Sequence, residues 1–242
     1  MRIKLVLYSE KIIDLPLHYN QTVQGMLYKS LPKFLSDFLH DVGFFYQKRK
    51  FKLFTFSKIF STKQKIENKR LLINPPITLY ISSAINDVAK QWGSNFLKKD
   101  IIKLGKNNLF LEEIEIMSKP KIKEETIIKT LSPITVYRTK DNNGKKYTQY
   151  YKPNEKEFNE LIKLNIKRKY EIITGKKLED FPFSIFPVSE FKENIEKFKN
   201  VFIKGIEGKF KIKTDPEILR TIYDAGIGAK NSLGFGMIEV IG

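Results

Sequence analysis

The sequence predicts an α+β chain of two tandem domains, and three observations predict it. Its first half reads strand, helix, strand, strand, helix, strand. Its second half repeats that order. Between them lies a Lys- and Glu-rich stretch at 118–126, which places the domains at 1–120 and 121–242. Apolar residues make up 41% of the 242, with 19 Phe and 11 Tyr, enough to build a core and to exclude bulk disorder.

Each element has its own signal. Residues 2–9 alternate apolar and polar, the period of a half-buried strand. Residues 21–31 and 33–41 read as helix, broken at Pro32. Residues 52–60 read as a strand, and 71–82 as another that Pro75-Pro76 interrupts. Ile85, Val88, Ala89, Trp92, Phe96 and Leu97 make an amphipathic helix over 85–98. Residues 109–117 close the first half as a strand.

The second half opens with a strand over 127–138 and a hairpin partner at 146–151, across Asn142-Asn143-Gly144. A long helix over 154–174 carries the stripe Phe158, Leu161, Ile162, Ile166, Tyr170 and Ile173. A strand follows at 183–188. Residues 200–213 read as a hairpin turning at Gly205-Ile-Glu-Gly208. Asp215-Pro216 caps a short helix to Ala225, with Pro at its first position. Residues 233–241 form the last strand. This βαββαβ order, twice over, is that of the ferredoxin-like or RRM-like fold.

Charge narrows the partner. Lys plus Arg number 44 against 27 Asp plus Glu, a net charge of +17. A surplus of that size attracts polyanions, and nucleic acid is the usual one. AT-rich coding offers a simpler origin, since only six of the 44 are Arg and Lys, Ile and Asn abound. The absence of Cys excludes disulfides and thiolate metal sites. The first ten residues carry a charge inside a short apolar run, unlike a signal peptide. No stretch nears the roughly 18 apolar residues of a membrane span. The cytoplasm of a prokaryote is the expected location. No phosphate loop or nucleophile elbow is present. Two His and no Cys make zinc an uncommon choice. No metal or other cofactor is expected.

Three constellations remain. The tail from Gly226 to Gly236 holds Gly226, Gly228, Gly234 and Gly236 around Lys230, Asn231 and Ser232. Glycine permits close backbone approach, and exposed N–H groups hold phosphates. A tight turn with a strand bulge would equally explain the glycines. In Lys209-Phe-Lys-Ile-Lys213, alternation puts Lys209, Lys211 and Lys213 on one face and Phe210 and Ile212 in the core. That face suits a phosphate backbone, or is simply solvated. Third, His40 ends an apolar helix before Gly43, where the helix dipole favours imidazolium and where imidazole chemistry suits proton transfer near neutrality. Tyr28 lies on the preceding helix. Lys52 opens the strand after the basic run Lys48, Arg49 and Lys50. A structural His, a core Tyr and one of 38 lysines are the plainer alternatives.

These segments together resemble the CRISPR repeat-cleaving endoribonuclease family. The resemblance rests on Tyr19-Asn20, Gly25-Met-Leu-Tyr28, Leu39-His40-Asp41, Lys52-Leu-Phe-Thr-Phe-Ser57, Leu131-Ser-Pro-Ile134 and the tail Gly228-Ala-Lys-Asn-Ser-Leu-Gly-Phe-Gly-Met237. The tail is the most specific of them. The resemblance implies tandem ferredoxin-like domains and metal-independent cutting of precursor CRISPR RNA within its repeats. It implies a catalytic trio at the matching positions Tyr28, His40 and Lys52. It implies repeat RNA as partner, held by the basic cleft, the Lys209–Lys213 strand and the glycine-rich loop. Dimerisation and association with effector-complex subunits stay open. A non-catalytic RNA-binding subunit of such a complex is the alternative, and the Tyr28, His40, Lys52 set weighs against it.

Overall fold

Alternation in Arg2–Tyr8 (β1) turns Ile3, Leu5 and Leu7 to one face, and all three are buried. In the computed structural model, which describes residues 1–241, β1 is a central strand. It pairs antiparallel with Ile77–Ser83 (β3) on one side and Asn107–Ile116 (β4) on the other. Phe54–Phe56 (β2) flanks β3, so the sheet runs β2-β3-β1-β4, with Ile102–Leu104 added beyond β4. Helices Asn20–Lys29 (α1) and Asn86–Leu97 (α2) supply Val23, Met26, Leu27, Val88, Ala89, Trp92 and Phe96 to its core.

The second half repeats the plan. Glu125–Thr130 (β5), Phe183–Pro187 (β6), Lys209–Thr214 (β7) and Ile238–Val240 (β8) order as β6-β7-β5-β8, antiparallel throughout. Lys156–Thr174 (α3) and Pro216–Tyr223 (α4) supply Phe158, Ile162, Ile166, Ile218, Leu219 and Ile222 to a separate core. Both sheets share the strand order 2-3-1-4, and the fold is the expected pair of ferredoxin-like motifs. The cap is as expected: Asp215 accepts from the Glu217 N–H, with Pro216 at the first helical position. The hairpin across Asn143 and Gly144, both at positive φ, forms between Tyr137–Asn142 and Lys145–Tyr150, so the run expected as one strand over 127–138 is divided between β5 and this hairpin.

Other expectations change. The hairpin expected over 200–213 does not form. Val201–Glu207 pairs with Lys192–Phe198, whereas β7 pairs with β5 and β6, so Gly208 marks a change of sheet. The run 71–82 is two strands in different sheets, because Pro75-Pro76 cannot donate to a continuous ladder. Arg70–Ile73 joins Ile13–Pro16 and Gln64–Glu67 in a three-stranded sheet of its own. The last strand is short, and residues 226–237 form a loop instead. Among the described residues no helix is long and apolar enough to cross a membrane.

The halves meet through buried polar contacts. The Arg2 guanidinium lies 3.9 Å over the Tyr223 ring and donates to the Tyr223 hydroxyl and the Ile238 carbonyl, both at 2.6 Å. The N-terminal ammonium of Met1 pairs with Asp224 at 2.6 Å. Burial lowers the Arg2 pKa, while Tyr223 and Asp224 oppose that fall.

Candidate active site

Three residues meet at one edge of the first sheet, from a helix, a turn and the link between two strands, since Lys52 precedes the strand it was expected to open. Tyr28 sits in the last turn of α1. The chain then runs through Lys33–Asp37 into a π-helical turn, Phe38–Val42, closed by the Gly43 N–H donating to Phe38 O at 2.7 Å. Such turns recur at functional sites. Here the turn carries His40 on its rim, 68% exposed. The Tyr28 and His40 rings meet edge to face, centroids 5.6 Å apart. Behind Tyr28 the same contact repeats to Phe54 at 5.8 Å and from Phe54 to Trp92 at 5.3 Å. Trp92 is tied to the Leu27 carbonyl at 2.9 Å. Core aromatics therefore fix the Tyr28 ring, and Tyr28 fixes one side of the imidazole.

Lys52 lies beneath the turn. Its ammonium donates to the carbonyls of Leu39 and His40, the place where a helix C-terminus gathers negative partial charge. Two of its three N–H groups are used, which leaves one free. Gly43 makes room for it. At φ +69, a Cβ there would lie 2.7 Å from Phe51 O and 3.3 Å from Lys52 Cδ. Leu53, next in sequence, is buried at φ +55, a strained conformation that turns the chain between Lys52 and the core residue Phe54. Lys50 donates to Asp41 O at 2.7 Å, and Asp41 Oδ1 lies 2.6 Å from His40 Nδ1.

Electrostatics divide the roles. Burial raises the Tyr28 pKa to about 12, with Asp41 adding to the rise, so the hydroxyl keeps its proton and acts as a donor. Burial first, and Lys50 second, lower the Lys52 pKa. An Nδ1–H bond to Asp41 leaves His40 Nε2 as the nitrogen able to exchange a proton. Among the described residues, no group of three or more His, Asp or Glu side chains could hold a metal ion.

The glycine-rich loop adjoins this cluster along one ridge of α1. Asn20, Gln24 and Tyr28 are spaced four apart and share a face. Asn20 donates to Leu233 O at 2.9 Å and Gln24 to Ser232 O at 2.6 Å, so Tyr28 stands one turn beyond the loop. Gly234, at φ +84, is pressed against the Phe56 ring, where any Cβ would collide. Asn20→Ala should cost about 1 kcal/mol of stability by urea titration, the net worth of one such bond. An unchanged midpoint would mean that the loop holds itself without α1.

The remaining sequence-derived candidates are placed as follows. Gly226, Gly228, Gly234 and Gly236 are buried. So is Asn231, whose amide donates to Ile227 O and Phe235 O. Lys230 stays partly exposed, its ammonium 4.9 Å over the Tyr137 ring. Lys48, Arg49 and Lys50 are exposed on the hairpin Phe44–Tyr46/Arg49–Phe51. The Lys209–Lys213 strand is not joined to this cluster. It lies between β5 and β6, with Phe210 and Ile212 buried and with Lys211 and Lys213 paired to Glu125 at 3.0 and 3.4 Å. A basic cavity of about 780 Å³ does lie between the halves, lined by Lys29, Lys69 and Lys103 from one and Lys197 and Lys199 from the other.

Sequence reasoning missed one residue that organises the loop. Lys169 on α3 is fully buried, and its ammonium donates to Gly226 O at 2.6 Å, Gly228 O at 3.0 Å and Asn231 Oδ1 at 2.6 Å. The signal was its position, three residues after Ile166 and seven after Ile162, on the apolar stripe. Asn20 and Asp41 entered the sequence reading only as landmarks of the resemblance, and Gln24 had no role in it, because a polar residue on a helix is too common to mark a site.

Comparison with known proteins gives the lineage. Residues 14–115 match the family model for the CRISPR-associated protein Cas6 N-terminal region, and residues 117–240 match that for the Cas6 C-terminal region. The chain is 31% identical to CRISPR-associated endoribonuclease Cas6 1 of Methanocaldococcus jannaschii, covering 98% of this chain and 92% of that protein. It is likewise 31% identical to the CRISPR-associated endoribonuclease Cas6 of Pyrococcus furiosus, over 97% and 86%. The solved structure of a Cas6-related gene product from Pyrococcus furiosus superposes at a TM-score of 0.86 with 25% identity, covering 100% of this chain and 98% of its own. Two family models that between them span both ferredoxin-like halves, together with full-length relatives above 30% identity, place this chain in the Cas6 family of CRISPR-associated proteins.

Proposed function

We propose that this chain is the endoribonuclease that cuts precursor CRISPR RNA within its repeats, by attack of a ribose 2′-OH on the adjacent phosphorus. One observation carries the reading. An exposed imidazole meets the Tyr28 ring edge to face and lies against Asp41, on a turn whose carbonyls accept from the Lys52 ammonium, and Tyr28 stands one helical turn from the side chain that holds the glycine-rich loop. Relatives of nearly equal length bear the name endoribonuclease.

The reaction has three tasks: remove the 2′-OH proton, protonate the departing 5′-oxygen, and stabilise charge on the phosphate. His40 Nε2 takes one of the proton transfers. The free N–H of Lys52 supports the phosphate charge. Tyr28, with its proton held to about pH 12, donates a hydrogen bond that orients the phosphate. The bond from 2′-oxygen to phosphorus forms as the 5′-oxygen bond breaks, which leaves a 2′,3′-cyclic phosphate and a 5′-hydroxyl. The three side chains belong to one chain, so the chemistry needs neither a second copy nor an effector-complex subunit. The cytoplasm of a prokaryote, where such transcripts are made, is the setting this reading implies.

The test is a labelled repeat RNA incubated with the chain in EDTA, with the product ends analysed. Cutting in EDTA with cyclic phosphate ends is the expected result. Cutting restored only by magnesium would overturn the metal-independent mechanism. Binding without cutting under both conditions would make the chain a non-catalytic RNA-binding subunit.

A further inference from the structure

Arginine is scarce in this chain, six residues against 38 lysines, so its placement is informative. Arg2 is spent on the contact between the halves and Arg70 on Asp14. Three of the other four, Arg49, Arg138 and Arg168, line one cavity of about 450 Å³. They come from separate elements: the hairpin beside Lys50 and Lys52, the hairpin Tyr137–Asn142/Lys145–Tyr150, and α3. The strand Phe44–Tyr46 of the first hairpin packs on α3. Arg49 therefore ties the cavity to the hairpin that follows the His40 turn along the chain.

Among the described residues, none of the three guanidinium groups has a carboxylate within 4.0 Å. Burial, and next the charge of Arg49, lower the Arg168 pKa, with Tyr46 opposing the fall, so two like charges lie near one another in the cavity. A polar site lined by three guanidinium groups without carboxylate partners suits an anion that accepts several N–H bonds at once.

We infer that Arg49, Arg138 and Arg168 form a receptor for a backbone phosphate of the substrate RNA, flanking the link cut at His40. Its occupant rests on the endoribonuclease reading. RNA held there would cross from the His40 turn over the Arg49 hairpin onto α3, and the receptor would set how far from the scissile link the strand is gripped.

The test uses full-length chain with His40→Ala, which keeps the RNA intact, and a fluorescent CRISPR repeat RNA. Affinity is measured by anisotropy across a salt series, with and without Arg138→Gln and Arg168→Gln. Each substitution should shallow the log Kd against log salt slope by about 0.7, the value for a single-stranded phosphate contact. The double variant should bind at least about tenfold more weakly. Arg138→Lys with Arg168→Lys should keep the slope yet weaken binding, because the charge survives and the fork does not. With His40 restored, the double variant should show its loss in KM rather than kcat.

Unchanged slope and affinity in the double Gln variant would overturn the inference, even where the unmodified chain cuts repeat RNA. If the Gln variants fail to fold, the Lys pair decides: full affinity would overturn the inference. Titration with sodium phosphate alone separates the source of the anion. Saturation in the micromolar range without effect on RNA binding would overturn the assignment to RNA. Failure of the unmodified chain to cut any repeat RNA would sink the endoribonuclease reading and leave the anisotropy result to stand by itself.

Discussion

His40→Ala should lower the rate of cutting by about 10²–10⁴, the usual worth of a positioned proton-transfer group, while RNA affinity changes by less than about threefold. The geometry separates the two effects. His40 stands on the rim of its turn, and its polar contact is with the neighbouring Asp41. The turn itself is closed by the Gly43–Phe38 bond and by Lys52 on backbone carbonyls, neither of which needs the imidazole. The fold should therefore survive, with an unchanged melting midpoint as the check. The substrate carries the matching prediction. A 2′-deoxy ribose just before the scissile phosphate should block cutting, because no nucleophile remains for His40 to assist. Persistent cutting of that RNA would remove the 2′-OH from the mechanism. A large affinity loss in His40→Ala would make the residue part of the binding surface.

The fold was legible where one physical signal sufficed. Alternation at 2–8 and the stripe through Phe158, Ile162 and Ile166 gave strand and helix because each element buries a single face. Short strands escaped. Ile13–Pro16 and Phe44–Tyr46 are too brief to show a period, and their pairing is set by partners far along the chain. Gly205 and Gly208 looked like a hairpin turn. Gly205 is instead a close approach, where a Cβ would lie 2.6 Å from Pro133 Cβ. Such a contact comes from packing between segments 72 residues apart and leaves no local mark.

The candidate site was legible in parts. Tyr28, His40 and Lys52 could be named from residue type, place and family resemblance, but the reason they meet was hidden. That reason is the π turn, the strained Leu53 and the aromatic series from Trp92 to Tyr28. From its spacing the glycine-rich tail allowed two readings, backbone open to a ligand or a tight turn with a bulge. Its glycines are buried, and its carbonyls at 226, 228, 232 and 233 accept from Lys169, Gln24 and Asn20. Among its polar side chains Lys230 and Ser232 stay partly exposed, and a contact of this loop with RNA would use these.

Lys169→Met should loosen that loop and cost the chain much of its stability. Methionine keeps the length and the apolar stem but supplies no donor, so Gly226 O, Gly228 O and Asn231 Oδ1 lose their shared partner in a buried place. Each orphaned acceptor costs about 1–3 kcal/mol, against a total of about 5–15 kcal/mol for a folded domain. The loop should open far enough to hydrate them, with faster hydrogen exchange over 226–236 as the direct readout. Because Ser232 and Leu233 are the loop's anchors on the ridge that ends in Tyr28, cutting should fall as well. The pH dependence gives a second test. Burial pulls the Lys169 ammonium from 10.5 down to about 7, although its three acceptors work against that fall. Between those values the unfolded chain holds a proton that the folded chain has released. Stability contributed by this group therefore rises with pH across 7 to 10.5, and below 7 the full cost of burying the charge is present. Methionine should flatten that rise. Parallel stability–pH curves for the two proteins over this window would mean that Lys169 keeps its charge throughout, with its three acceptors outweighing the cost of burial.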